Sequence, residues 1–181
     1  MNFQNFENRA SKKTYSLDLG CGPIMRNPYM ADFVFGVDLV GEESPNLKIS
    51  DLAVMPIPFE NNTFDYVTAF DFLEHIPRLL YVSEKRSHPF INLMNEIHRV
   101  LIPGGLFLAH TPAFPRQETF QDPTHVNFIS ENTVEYFAGT AVKTCRDYGY
   151  IGEFELIRQE WASNYTYWLI WELQKPLITI T

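Results

Sequence analysis

The chain has 181 residues, 45% hydrophobic and 15% aromatic, which is enough for one well-buried core and too apolar for a disordered segment. A formal charge of −8 argues against a broad nucleic-acid footprint, which needs a basic face. No apolar run approaches a membrane span, the polar N-terminus lacks the regions of a secretion signal, and the two cysteines make no disulfide framework. The expectation is a single cytoplasmic domain over residues 1–181, with 1–13 a flexible lead-in.

Residues 14–20 read as a first strand and 32–39 as a second, both apolar throughout as central parallel strands are. Gly20 and Gly22, in the turn after the first, let the backbone approach a ligand with no Cβ in the way. Asp38, at the tip of the second, can accept hydrogen bonds from both hydroxyls of a ribose. A strand, a glycine turn and a second strand ending in an acid describe the front half of a nucleoside-binding α/β domain. A dinucleotide fingerprint would need a third glycine where Met25 stands, and Pro23 has no N–H to offer a pyrophosphate. Pro28 leaves little room for a first helix. The turn therefore suits a nucleoside without phosphates, S-adenosylmethionine, better than NAD.

A third strand is expected over 47–52, passing Asp51, and Pro56 and Pro58 then break the chain. Residues 64–72 make a fourth. Phe90, Leu93, Met94, Ile97, Val100 and Leu101 recur at helical spacing, and Pro103-Gly104-Gly105 is expected to stop that helix. Residues 106–109 enter a fifth strand closed by Pro112. Ser130 can cap a helix to about Gly139, with Glu131 in its first turn. Residues 153–161 and 165–173 read as an aromatic-rich antiparallel hairpin. Alternation makes half of its rings (Trp161, Tyr165, Tyr167, Trp168, Trp171) core by default, with stacking on an acceptor as the rival reading.

Five segments, LDLGCGP (17–23), FGVDL (35–39), DLAVMPIPFENNTFDYVTAFDFLEHIP (51–77), NEIHRVLIPGGLF (95–107) and DPTHVNF (122–128), stand in an order that resembles the class I S-adenosylmethionine-dependent methyltransferases. The block ending LEHI and the later HRVL-x-PGG resemble the type 11 small-molecule branch, and the DPTH segment its compact members. The resemblance covers nearly the whole chain. It implies a Rossmann-like, mostly parallel seven-stranded sheet with helices on both faces, and a last strand inserted antiparallel within the terminal hairpin. It also implies that Asp18, Gly20, Cys21 and Gly22 face the methionine part of the cofactor and that Asp38 holds the ribose. Leu39 would pack near the adenine, Asp51 and the Leu52 backbone would meet its edge, and Phe70 and Asp71 would lie beside the sulfonium. Arg26 is placed to pair with the cofactor's carboxylate.

Methyl transfer from a sulfonium needs alignment and exclusion of water more than acid catalysis, with a base wherever the acceptor is a hydroxyl or a protonated amine. His125 is the first candidate, with Asp122 orienting it through the other ring nitrogen. His75 is the second and His110 the third. A loop-ordering role is the rival for His125, and corner-fixing the rival for His75. No ligand spacing supports a metal site, and none is expected. The run RLLYVSEKRSH (78–88) is longer than such a fold needs, and Lys85, Arg86 and His88 suggest a positively charged lid favouring an acidic acceptor. The expected function is methyl transfer to an oxygen or nitrogen of a small or carrier-linked acceptor. The alternative is a non-catalytic protein that binds S-adenosylmethionine or S-adenosylhomocysteine on the same fold.

Overall fold

The computed structural model describes residues 12–162 and 167–177. Strands β1 (Tyr15–Leu19), β2 (Phe33–Asp38), β3 (Leu47–Ile49) and β4 (Phe64–Phe70) are followed by a short hairpin, β5 (Leu80–Val82) and β6 (Lys85–Ser87). Helix α1 (Pro89–Val100) leads into the long strand β7 (Leu101–Phe114). Short helices α2 (Glu118–Gln121), α3 (Glu135–Ala138) and α4 (Val142–Arg146), with the two-residue strand β8 (Ile129–Ser130) among them, precede β9 (Glu155–Trp161) and β10 (Trp168–Gln174).

The main sheet runs β3-β2-β1-β4-β7-β10-β9, with β8 added beside β7. Neighbours are parallel from β3 to β7, and β10 lies antiparallel to both β7 and β9. The expected seven-strand path with its inserted last strand is therefore present.

Register and alternation divide the sheet into two unlike faces. One carries Val37, Leu19, Ala69, Ala109 and Trp171 in line, with Leu17, Val67, Phe107 and Leu173 behind them. These join the apolar stripe of α1 (Phe90, Leu93, Met94, Ile97, Val100) and Phe137, Tyr150 and Phe154 in one buried core. Each such side chain contributes roughly 1.5–3 kcal/mol on burial, which anchors a helix too short to be stable alone. The other face is polar: Ser16, Asp18 and Thr68 are fully buried on it, near Tyr66, His110 and Glu172.

Helices α1, α3 and α4 pack on the first face, while the irregular segment 20–32 crosses the second. Tyr29 lies flat on Tyr66 with ring centroids 4.3 Å apart and donates its hydroxyl to Glu172, and Met25 and Cys21 fill the space over Gly36. Pro23 and Pro28 account for the missing first helix, as the sequence suggests. The connections from β2 to β3 and from β3 to β4 also carry no helix.

Three elements differ from expectation. α1 ends at Val100, and Pro103-Gly104-Gly105 lies inside β7, where the pairing jumps from Phe64↔Leu101 to Tyr66↔Leu106. The glycines thus serve a strand irregularity, with Gly104 at φ +80° and Gly105 too close to the Ile102 carbonyl for a Cβ. β4 stops two residues early because Asp71 turns into the left-handed region at φ 51°. β3 ends at Ile49, where the chain turns around the Asp51 carbonyl, which accepts from the Val54 and Met55 N–H groups. Trp171 is core as expected, and Tyr165 lies outside the described residues. No helix among the described residues is long and apolar enough to cross a membrane.

Candidate active site

The C-terminal ends of β1, β2, β3 and β4 bound a cleft of about 540 Å³ that includes Gly20, Asp38, Leu39, Asp51, Leu52 and Asp71. Ligands of open α/β sheets bind at such strand ends. Six of the ten residues expected to hold a cofactor thus meet in one place, with Phe72, His75 and Thr124 added as walls. Gly20 has φ +62°, and a Cβ there would run into the Phe72 ring, so this turn requires glycine.

Asp38 braces the rim of the cleft. Its Oδ2 accepts from the Gly22 N–H at 2.8 Å and its Oδ1 from the Val40 N–H at 3.0 Å. Each oxygen keeps a second lone pair, so the carboxylate is held in place and still able to receive two hydroxyls. Asp51 is exposed, with Oδ1 accepting from Ala53 N–H, and Leu39 is 64% exposed at the same end.

The remaining four lie around the cleft or beneath it. Asp18 is fully buried: Thr68 donates to Oδ1 at 2.7 Å and the Arg26 N–H to Oδ2 at 2.8 Å. It anchors the 20–26 turn from below and does not face an open space. Burial raises its pKa, against the pull of those two donors. Cys21 is buried over Gly36, and burial followed by the Asp18 and Asp38 charges pushes its thiol up to about 11, which leaves it protonated and unreactive. Gly22 reaches the site through Asp38. The Phe70 ring has the Arg26 guanidinium 4.9 Å from its centroid and the His110 ring centroid also at 4.9 Å.

A second pocket of about 440 Å³ opens from the first, sharing Asp71 and His75 with it. Glu74, Pro112, Glu118, Gln121, Asp122, His125 and Tyr167 complete its lining. The 122–128 loop is fastened across it. The Glu74 carbonyl accepts from the Val126 and Asn127 N–H groups, Asn127 donates to the Leu73 carbonyl, and Arg78 reaches Asn127 and the Phe128 carbonyl. His75 and His125 consequently face each other with ring centroids 5.0 Å apart.

The hydrogen bonds identify the ring nitrogens. His125 Nδ1 lies 3.2 Å from the Thr119 carbonyl, which only accepts, so Nδ1 carries the proton and Nε2 holds the lone pair. His75 Nδ1 lies 3.3 Å from the Thr124 carbonyl and 3.1 Å from Thr124 Oγ1, whose own proton goes to Asp122 Oδ1. His75 Nε2 is therefore the free nitrogen too. The expected orienting role of Asp122 is not what the structure shows: the Thr119 carbonyl orients His125, and Asp122 Oδ2 stands 4.0 Å from Nε2. Hydrogen bonds from Thr124 hold the exposed Asp122 carboxyl below the usual range.

His110 lies on the polar sheet face beside Phe70 and Trp168 and does not line this pocket. Lys85 and Arg86 do not line this pocket either; with 52–57, α1 and Ile151 they line a cleft that shares Leu52 and Ala53 with the first one. The lid over the acceptor site is thus not what the 78–88 insertion builds. It folds as a tight hairpin turning through Ser83 and Glu84, both left-handed, which matches the twist of the flanking strands.

Glu74 is the residue the sequence reading missed. Its side chain is fully buried, Thr111 donates to Oε2 at 2.9 Å, and burial pushes its pKa up to about 7. A glutamate following a strand reads as solvated; the signal was its place in the LEHI block, next to His75.

A family model described as a methyltransferase domain matches residues 17–109, just over half of the chain. A sterol 4-C-methyltransferase of Caenorhabditis elegans is 33% identical over 119 residues, covering 55% of this chain and 31% of that protein. A demethylmenaquinone methyltransferase of Bacillus pumilus is 27% identical over 99 residues, covering 55% and 37%. This chain therefore spans about a third of the length of these curated relatives. Among solved structures, a SAM-dependent methyltransferase from Methanosarcina mazei superposes with a TM-score of 0.57 at 17% identity, covering 94% of this chain and 96% of that one. With the matched segment running through the glycine turn, Asp38 and Asp51 into the fifth parallel strand, the chain belongs to the methyltransferase domain family, the class I S-adenosylmethionine-dependent methyltransferases.

Proposed function

We propose that this chain transfers a methyl group from S-adenosylmethionine to an oxygen or nitrogen of a small or carrier-linked acceptor. One observation carries the reading: the cleft holding Asp38 and Asp51 meets the pocket holding His125 at the shared residues Asp71 and His75. A volume of about 540 Å³, a turn closed to any Cβ and a braced carboxylate suit an adenosine with a short polar tail. When bound, S-adenosylmethionine supplies a methyl on a positively charged sulfur and leaves as a neutral thioether.

The residues of the chain divide the remaining work. Asp38 and Asp51 hold the two ends of the adenosine, and the Gly20 turn lets its sugar lie close to the backbone. Asp71 and Phe72 wall the junction, while Pro112 and Tyr167 narrow the acceptor side and limit water. His125 Nε2 is free to take the acceptor's proton, with Asp122 beside it to balance the imidazolium charge. His75 Nε2 is the second such site. Similarity to enzymes named for sterol and demethylmenaquinone substrates supports a small-molecule acceptor, and the net charge argues against nucleic acid.

The test pairs calorimetric titration of S-adenosylhomocysteine with a methyl-transfer screen over hydroxyl, phenol and amine acceptors. Binding with turnover supports the proposal. Binding without turnover across the panel favours the non-catalytic alternative, and absence of binding overturns both.

A further inference from the structure

Glu74, His75 and His125 each place one ligand atom within 4.8 Å of the other two. They come from two separate segments, the turn Leu73–His75 after β4 and the 122–128 loop, which the Glu74 carbonyl and Asn127 fasten together. Both imidazoles have Nδ1–H committed to a carbonyl oxygen and Nε2 uncommitted. A carbonyl on the distal ring nitrogen is the arrangement that steadies a metal-ligating histidine.

Glu74 supplies the independent sign. Thr111 satisfies Oε2, but Oε1 is buried with no hydrogen-bond partner, on a side chain with no exposed surface. A buried carboxylate oxygen without a donor costs about 1–3 kcal/mol or more, and such orphans in native structures mark bound ions or catalytic groups. Glu74 lines the same pocket as both histidines.

We propose that Glu74, His75 and His125 bind a divalent first-row transition ion on the acceptor side of the cleft. Two imidazole nitrogens and one carboxylate oxygen form a borderline donor set that suits zinc, manganese or iron(II) over magnesium or calcium. Three protein ligands leave coordination positions open in the pocket shared with Asp71, and Asp122 adds a nearby negative charge. Resting on the methyl-transfer reading, this also specifies an acceptor class: one that presents a hydroxyl or enol oxygen to the ion. In the ion-loaded protein His125 Nε2 is a ligand and no longer the base described above, and the ion replaces it as the group that polarises the acceptor oxygen.

The test measures metal on the whole chain, without turnover. Chelator-stripped protein is dialysed against zinc or manganese in otherwise ion-free buffer, its metal content is measured by mass spectrometry, and S-adenosylhomocysteine is titrated in parallel. The expected result is stoichiometric uptake, weakened at least about tenfold in His125→Ala and Glu74→Gln and retained in His110→Ala, whose ring lies outside the pocket. Because Glu74→Gln alters a buried position, the visible spectrum of the cobalt(II)-loaded unmodified protein gives a reading that needs no variant: ligand-field bands of a nitrogen–oxygen site are expected. No stoichiometric uptake, or uptake that survives loss of His125, overturns the inference. S-adenosylhomocysteine binding without metal would sink this inference alone, and metal binding without S-adenosylhomocysteine would sink the functional reading alone.

Discussion

The Phe72 ring packs against the bare Cα of Gly20, in the space a side chain on that residue would need. The contact joins the turn after β1 to the turn after β4, two sides of the cleft proposed for the cofactor. Gly20 is also left-handed, at φ +62°. Gly20→Ala is therefore expected to cost about 1–3 kcal/mol from backbone strain, before the clash is counted. Thermal unfolding should show the loss, and S-adenosylhomocysteine affinity should fall with it. Adding Phe72→Ala should recover part of the stability, since it removes the collision and leaves the strain. A double variant no better than Gly20→Ala would show that the ring does not set the constraint.

Asp38 has a different duty, because its oxygens hold the turn through Gly22 and Val40 while facing the cleft. Asp38→Asn keeps the shape but removes the charge and replaces one acceptor by a donor. Hydrogen bonds to a charged group are worth about 1.5–3 kcal/mol, so the dissociation constant for S-adenosylhomocysteine should rise roughly 10- to 150-fold. Calorimetry reads this directly. An unchanged constant would place the ribose elsewhere.

How much of this was legible in the sequence depends on what each residue answers to. Asp38, Asp51 and Gly20 answer to local chemistry, a turn or a strand tip, and the chain order alone brings them to one end of a parallel sheet. Pro23 and Pro28 likewise predicted the loss of the first helix. Asp18 was visible as an acid, but its burial beneath the turn depends on Thr68, fifty residues away. Glu74 was hidden for the same reason, since its isolation comes from Thr111 and the 122–128 loop. Pro103-Gly104-Gly105 misled because glycine serves a helix stop and a strand irregularity alike, and only the pairing with β4 decides between them. The charges of Lys85 and Arg86 were plain, yet the cleft they serve is set by hairpin geometry.

His98 gives a pH signature away from the site. It packs 5.3 Å from the Phe154 ring, and burial first, then the Lys175 charge, push its pKa from 6.5 down to about 4, against a hydrogen bond to the Glu153 backbone. The folded state thus keeps this ring neutral where the unfolded chain protonates it. Its contribution is fully present above about pH 6.5 and is lost as the pH falls toward 4. Asp18 and Glu74, whose values burial raises, act in the opposite sense. The difference in denaturant stability between the native chain and His98→Gln isolates the histidine. That difference should be flat above neutrality and shift against the native chain as the pH drops; a flat line throughout would refute it.

His125 and His75 separate by where they stand. His125 lines only the pocket proposed for the acceptor, whereas His75 lines both that pocket and the cleft proposed for the cofactor. His125→Ala is therefore expected to lower methyl transfer by about 10²- to 10⁴-fold, the range typical of a lost proton-transfer group, while S-adenosylhomocysteine binds as before. His75→Ala should weaken both turnover and cofactor affinity, because it also releases Thr124 from the rim of the cleft. Lys85→Ala with Arg86→Ala, in the neighbouring cleft, should leave the acceptor's KM unchanged. Equal loss of turnover and cofactor binding in His125→Ala would reduce that residue to a fastener of the 122–128 loop, with Asp122 and Thr119 as its scaffold.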